Sequence, residues 1–85
     1  MKAPNPSQTK IILCFNPPEE AITQSELTKR TALYWTTITA NIKGLIEQGI
    51  ITKEDKPHTR NKPLRLTNKG KQLWQTIKKI QTILQ

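Results

Sequence analysis

Eighty-five residues with 34% hydrophobic side chains describe one small domain with a modest core, built from amphipathic helices that each give one aliphatic stripe. The single cysteine excludes an intrachain disulfide, and one histidine with six scattered acids leaves no metal-ligand cluster and no catalytic constellation, so no cofactor, no metal and no enzymatic activity are expected. The formal charge of +8 is one-sided: residues 1–55 hold six Lys/Arg and six Asp/Glu, whereas residues 56–85 hold eight Lys/Arg and no acid, which is a directed field for a polyanion. A membrane partner is not expected, because no segment is apolar enough to span a bilayer; the polar start MKAPNPSQTK predicts no signal peptide and an intracellular protein.

In chain order, residues 1–6 predict a flexible arm with two prolines. Ser7 is the expected cap of a first helix running through Phe15, with Ile11, Ile12 and Phe15 inward, stopped by Asn16-Pro17-Pro18. Ala21-Ile22 suits a short strand. Thr23, with Glu26 three residues on, forms a capping-box signature for a second helix from Gln24 to about Thr31, anchored by Leu27. Ala32-Leu33 makes the turn. A third helix starts at Tyr34 or Trp35 and runs to Gln48, with Gly49 placed as the left-handed residue that ends it and Ile38, Ile42 and Leu45 on one inward face. Ile50 to Lys53 and Lys62 to Leu66 predict the strands of a hairpin, and Thr67 caps a last helix whose stripe is Leu73, Ile77, Ile80 and Leu84, flanked by Trp74 and Ile83. The fold class expected is mainly α with a small β-hairpin. The divisions are 1–6 for the arm, 7–66 for a domain with its hairpin at about 50–66, and 67–85 for the C-terminal helix.

The third helix carries the functional signal. Opposite Ile38, Ile42 and Leu45 the wheel places Thr36, Thr37, Ala40, Lys43, Gly44 and Glu47, a short or polar face with one cation. Such a face lets a helix backbone approach a DNA groove, and threonine offers a hydroxyl to base edges or phosphates and a methyl to thymine. The run Thr36-Thr37-Ile38-Thr39 is poor helix material, so a demand other than local stability favours it. The candidate DNA contacts on this helix are Tyr34, Thr36, Thr37, Thr39, Ala40 and Lys43. Tyr34 is open between packing and a phosphate contact, and for Trp35 packing that closes the core is favoured over an indole contact to a phosphate. In the hairpin the candidates are Lys53, Lys56, His58, Arg60, Lys62 and Arg65, with Arg60 foremost, and Glu54 and Asp55 available to orient it.

These landmarks resemble a known family. ITQSEL at the start of the second helix, LYWTTITANIKGLIEQGII across the third, Arg60 in the hairpin, and the close Leu66-Thr67-Asn68-Lys69-Gly70 are similar to the winged helix-turn-helix domain of MarR-type transcription regulators. The resemblance implies a three-helix core, a wing and a C-terminal helix. It also implies that the third helix enters the major groove while the wing reaches the neighbouring minor groove or backbone. Tyr34 stands where that family usually has a small capping residue. The long flanking helices that build the family's ligand pocket are mostly missing, which disfavours a small-molecule effector.

Leu73, Trp74, Ile77, Ile80, Ile83 and Leu84 make a wider apolar face than one short helix covers, so a homodimer is expected, with two reading helices about one DNA turn apart on a two-fold site. The function expected is sequence-specific double-stranded DNA binding as a transcriptional regulator of repressor type. A protein-assembly module and a sequence-tolerant architectural DNA binder are the alternatives.

Overall fold

The computed structural model describes residues 4–54 and 63–84. Six elements follow in order: α1 (Pro6–Leu13), α2 (Gln24–Thr31), α3 (Trp35–Glu47), β1 (Ile51–Lys53), β2 (Leu64–Leu66) and α4 (Asn68–Leu84). This is the mainly α, winged helix-turn-helix architecture expected from the sequence.

The first helix begins earlier than Ser7 predicts. Pro6 presets the first helical φ, and Asn5 is the cap: its Oδ1 accepts from the Gln8 amide at 2.7 Å while the Gln8 carboxamide accepts from the Asn5 amide at 3.2 Å. The helix ends at Leu13 rather than Phe15, and the bend after it turns Phe15 into the core with Ile11 and Ile12. In α2, Thr23 caps as expected, accepting from the Glu26 amide at 3.3 Å, but the reciprocal half of the box is absent because the Glu26 carboxylate is held by Arg30. The turn to α3 passes through Ala32 in the left-handed region at φ 57. That conformation is uncommon for a residue with a Cβ and gives the tight turn between the two helices.

The end of α3 is set by Gly49 at φ +74: its amide donates to the Ile46 carbonyl at 3.0 Å, and the Ile50 amide donates to the Leu45 carbonyl at 2.9 Å. This is a Schellman closure, and both Ile50 and Leu45 are buried. β1 and β2 pair antiparallel with Ile51 opposite Leu66 and Lys53 opposite Leu64. The strand anticipated at Ala21-Ile22 is a single bridge: Ile22 and Leu64 exchange amide and carbonyl at 2.9 and 2.8 Å, which makes β2 central to the small sheet. Ile22, Leu27, Ile38, Ile42, Leu45, Ile51, Leu64 and Leu66 close one core with the α1 residues.

Thr67 caps α4, its hydroxyl accepting from the Gly70 amide at 3.1 Å and donating to the Gly49 and Ile50 carbonyls. At Gly70 an added Cβ would lie 2.1 Å from the Ile50 carbonyl oxygen, so the helix touches backbone and only glycine fits. The apolar side of α4 divides: Leu73, Trp74 and Ile77 pack against the core, whereas Ile80, Ile83 and Leu84 are exposed. Gly70→Ala should therefore destabilise the fold by about 3 kcal/mol in urea unfolding. Gly44→Ala, where a Cβ would meet the flexible end of Gln8 at 3.4 Å, should instead stabilise it by about 0.5–1 kcal/mol through helix propensity.

Candidate nucleic-acid interface

The back of α3 is fixed by Ile38, Ile42 and Leu45, all buried, so its opposite side is held outward by packing rather than by local preference. Thr36, Thr39, Ala40, Lys43 and Glu47 are exposed along that side. Thr37 is half-buried. Gly44, placed outward by the wheel, faces α1 instead: its nearest neighbour is the Gln8 carboxamide, and Asn41, one turn earlier, bonds Asn5 at 3.2 Å. The physical reason is that α1 docks on the flank of α3 that carries Asn41 and Gly44, a choice of side that the period of α3 alone does not fix.

Tyr34 is the N-cap residue of α3 and provides no side-chain cap; it is 84% exposed. Trp35, expected to pack, leaves half its surface open. Its carbonyl accepts from the Thr39 hydroxyl at 2.8 Å, and Thr39 in turn accepts from the Gln24 carboxamide at 2.6 Å. Gln24, the first residue of α2, was missed by the sequence reasoning. It brings the N-terminus of α2 to the second turn of α3, and its only sequence signal is its place directly after the Thr23 cap.

Gln24, Thr39, Lys43, Ile46, Glu47 and Lys53 border a groove of about 410 Å³ together with Ile42, which joins the exposed face of α3 to the root of the hairpin. Lys43 and Lys53 thus lie around one hollow although ten residues separate them in the chain. Arg65 is exposed on β2, across from Thr52, but its guanidinium is engaged: it donates to the Glu54 carboxylate and, at 3.0 Å, to the Glu19 carbonyl. It ties the hairpin to the segment before α2. Arg30 does similar work, donating to Glu20 at 3.1 Å, Glu26 at 3.2 Å and the Cys14 carbonyl at 3.0 Å; its hydrogen bond to Glu20 leads the contacts that hold its pKa above the ordinary value. Lys56, His58, Arg60 and Lys62 lie outside the described residues.

A second hollow of about 300 Å³ between α1 and α2 is bordered by Lys10, Leu13, Cys14, Arg30 and Thr31. Burial pushes the Cys14 thiol up from its ordinary pKa, against the pull of Arg30, so the thiol stays protonated and weakly nucleophilic. No group of three His, Cys, Asp or Glu residues among the described residues could hold a metal ion, and no helix among them is long and apolar enough to cross a membrane.

With helix-turn-helix, hairpin and flanking helix in place, the family follows from comparison. The model of the ArnR1-like winged-helix domain matches residues 9–84. The chain belongs to the ArnR1-like winged-helix family. The same winged-helix fold occurs in solved structures. A Staphylococcus aureus MepR–DNA complex superposes with a TM-score of 0.80 at 20% identity, covering 94% of this chain and 66% of that one. A MarR family transcriptional regulator from Silicibacter pomeroyi DSS-3 gives 0.79 at 16% identity, covering 91% and 54%. The multiple antibiotic-resistance repressor MarR from Listeria monocytogenes 4b F2365 gives 0.76 at 28% identity, covering 88% and 51%. The chain therefore spans between about half and two thirds of the length of these structures. No curated protein sequence matches it.

The Arg65 contacts make a stability prediction for this winged helix. Because the ion pair with Glu54 is partly exposed, Arg65→Met should lower the unfolding free energy by no more than about 1 kcal/mol, read from urea titration. A much larger loss would mean that the hairpin root carries more of the fold than its contacts indicate.

Proposed function

We propose that this winged helix is a sequence-specific double-stranded DNA-binding module of a transcription regulator, acting as a repressor and without enzymatic activity. In this reading α3 enters the major groove, with Thr36, Thr39, Ala40 and Lys43 toward the bases and Thr37 at the flank. Tyr34 lies at the groove lip, and Trp35, half exposed beside it, joins it there as an indole donor to a phosphate. The hairpin lies along the adjacent backbone or minor groove, with Lys53 at its root and Lys56, His58, Arg60 and Lys62, assigned from sequence alone, along its loop. Arg65 acts by positioning, since its Nε and Nη1 are engaged within the chain.

The observation that carries this reading is the exposed ridge of short side chains on α3, braced from behind by Ile38, Ile42 and Leu45 and flanked by Lys43 and Lys53. A solvated helix face has little use for consecutive β-branched residues, whereas a groove-seated one gains from small side chains that let the backbone approach. That a protein of the same fold has been solved on DNA supports the assignment. Duplex affinity should fall steeply with salt; Lys53→Ala should flatten the slope of log K against log salt by about one, whereas Lys43→Ala should alter the preference among sites. A chain with no measurable duplex affinity at low salt would instead be an assembly module.

The distal half of α4 supports a homodimer. Ile83 and Leu84 are 73% and 80% exposed, and Ile80 is half exposed. On the helical wheel Lys71, Lys78 and Lys79 fall away from the stripe of Leu73, Ile77, Ile80 and Leu84, so two copies can pair without bringing their lysines together. Lys78 lies over the Trp74 ring, 5.7 Å from its centre. Light scattering should give twice the chain mass at micromolar concentration, and Ile80→Lys combined with Ile83→Lys should halve it while the far-UV spectrum keeps its helical form. A monomeric parent chain both free and on DNA would end the dimer assignment.

A further inference from the structure

We infer that the DNA sequence class taken by α3 is thymine-rich, and that Thr36, Thr39 and Ala40 discriminate by apolar contact with the thymine C5-methyl. This rests on the DNA-binding assignment above. In the major groove guanine is read mainly by Arg or Lys, adenine by paired Asn or Gln donors and acceptors, and thymine by apolar contact with its methyl.

The structure removes the first two readers one by one. Among the described residues, Arg30 is bound within the chain through all three nitrogens, by Glu20, Glu26 and the Cys14 carbonyl, and Arg65, on β2 rather than α3, is tied through Nε and Nη1 to Glu54 and the Glu19 carbonyl. The amides of α3 and its surroundings are likewise engaged or enclosed. Asn41 accepts from Asn5 at 3.2 Å and donates to the Thr37 carbonyl at 2.9 Å; Gln24 donates to Thr39; and the Gln48 carboxamide oxygen is buried. What the exposed ridge retains is the methyl groups of Thr36, Thr39 and Ala40 with the Thr36 hydroxyl, the one cation of Lys43 and, at its far end, the Glu47 carboxylate.

Thr39 makes the point at atomic level. Its hydroxyl donates to the Trp35 carbonyl at 2.8 Å and accepts from Gln24 at 2.6 Å, so its one proton and one of its two lone pairs are turned to the protein, which leaves the methyl as the larger part for a ligand. Ala40 adds a methyl beside it. Lys43 supplies a single ammonium, which a phosphate or one guanine can take.

The test compares two polymers that differ only in that methyl group, alternating poly(dA-dT) and alternating poly(dA-dU), by competition at low salt. The parent chain should prefer the thymine polymer by roughly fourfold for each methyl contact buried. Thr36→Ser and Thr39→Ser keep the hydroxyl and remove only the side-chain methyl, so each should reduce that preference. Thr82→Ser, on the exposed side of α4, should leave it intact, and melting curves establish that the variants are folded. Equal affinity of the parent chain for both polymers, or a preference unchanged in both Thr36→Ser and Thr39→Ser, would overturn the inference while leaving DNA binding in place. Failure to bind either polymer would overturn the DNA-binding assignment itself, and this inference with it.

Discussion

The Ile50 carbonyl is where the recognition helix, the hairpin and the last helix are joined. Gly49 reverses the chain at the end of α3, and the residue that follows offers its carbonyl to the Thr67 amide at 3.0 Å and to the Thr67 hydroxyl at 3.1 Å. The backbone of Gly70 lies against the same oxygen. One acceptor thereby fixes the register of β1 on β2, the starting point of α4, and the angle at which both leave α3. Backbone contact of this kind has little slack, since interiors are close-packed and a backbone polar group cannot be left without a partner. Lys69 adds a cation at the C-terminal end of α3, donating to the Gln48 carbonyl at 2.8 Å. The orientation of the exposed ridge relative to the hairpin is a consequence of this junction.

Around that frame the polar side chains divide into two populations. Arg30 and Arg65 clip loops and strands together at partly exposed ion pairs, where each bond contributes little to stability but holds a segment in place. Asn5, Gln8 and Asn41 settle α1 against α3. Lys43 and the side-chain methyls of Thr36, Thr39 and Ala40 take no such part. A domain with a small core uses many of its directional donors for its own architecture, and the exposed face of α3 is left with short side chains and methyl groups. The poor helix propensity of Thr36, Thr37 and Thr39 costs a few tenths of a kcal/mol per residue. The burial of Ile38, Ile42 and Leu45 offsets it.

Most of the fold was legible in the sequence because its signals are local. Thr23 and Gly49 mark the ends of their helices through bonds spanning a few residues, and the i, i+4, i+7 spacing of Ile38, Ile42 and Leu45 defines one face without knowledge of any neighbour. The start of α1 was misplaced by two residues because Ser7 is also a competent cap; Pro6 and the Gln8 carboxamide tip the balance to Asn5. What stayed illegible depends on tertiary placement. The flank of α3 that receives α1 decides that Gly44 turns inward. The bridge from Ile22 to Leu64 places β2 at the centre of the sheet, and Arg65, expected from sequence to contact DNA, also ties the hairpin to Glu54 and to the Glu19 carbonyl. Trp35 was assigned to the core from its wheel position, yet at the first turn of a helix it has no preceding turn to cover it and stays half open.

The division of α4 connects that junction to function. Its seventeen residues span about 25 Å, and they form one uninterrupted helix from the Gly70 contact to Leu84. The proximal half belongs to the core through Leu73, Trp74 and Ile77, while nothing from the described chain covers Ile80, Ile83 and Leu84. An unbroken helix transmits orientation, so wherever the distal half meets its partner, the direction of α3 is already determined relative to it. In a two-fold pair built on these tails, the separation and tilt of the two reading ridges would follow from the angle at which α4 leaves the Ile50 carbonyl. A change at Gly70 would then act on the spacing of DNA half-sites as well as on stability, even though the residue touches neither DNA nor the second copy. If the proposed function holds, the contact between Gly70 and Ile50 would be part of the reading apparatus, setting the geometry at which two short, methyl-bearing helices meet successive turns of one groove.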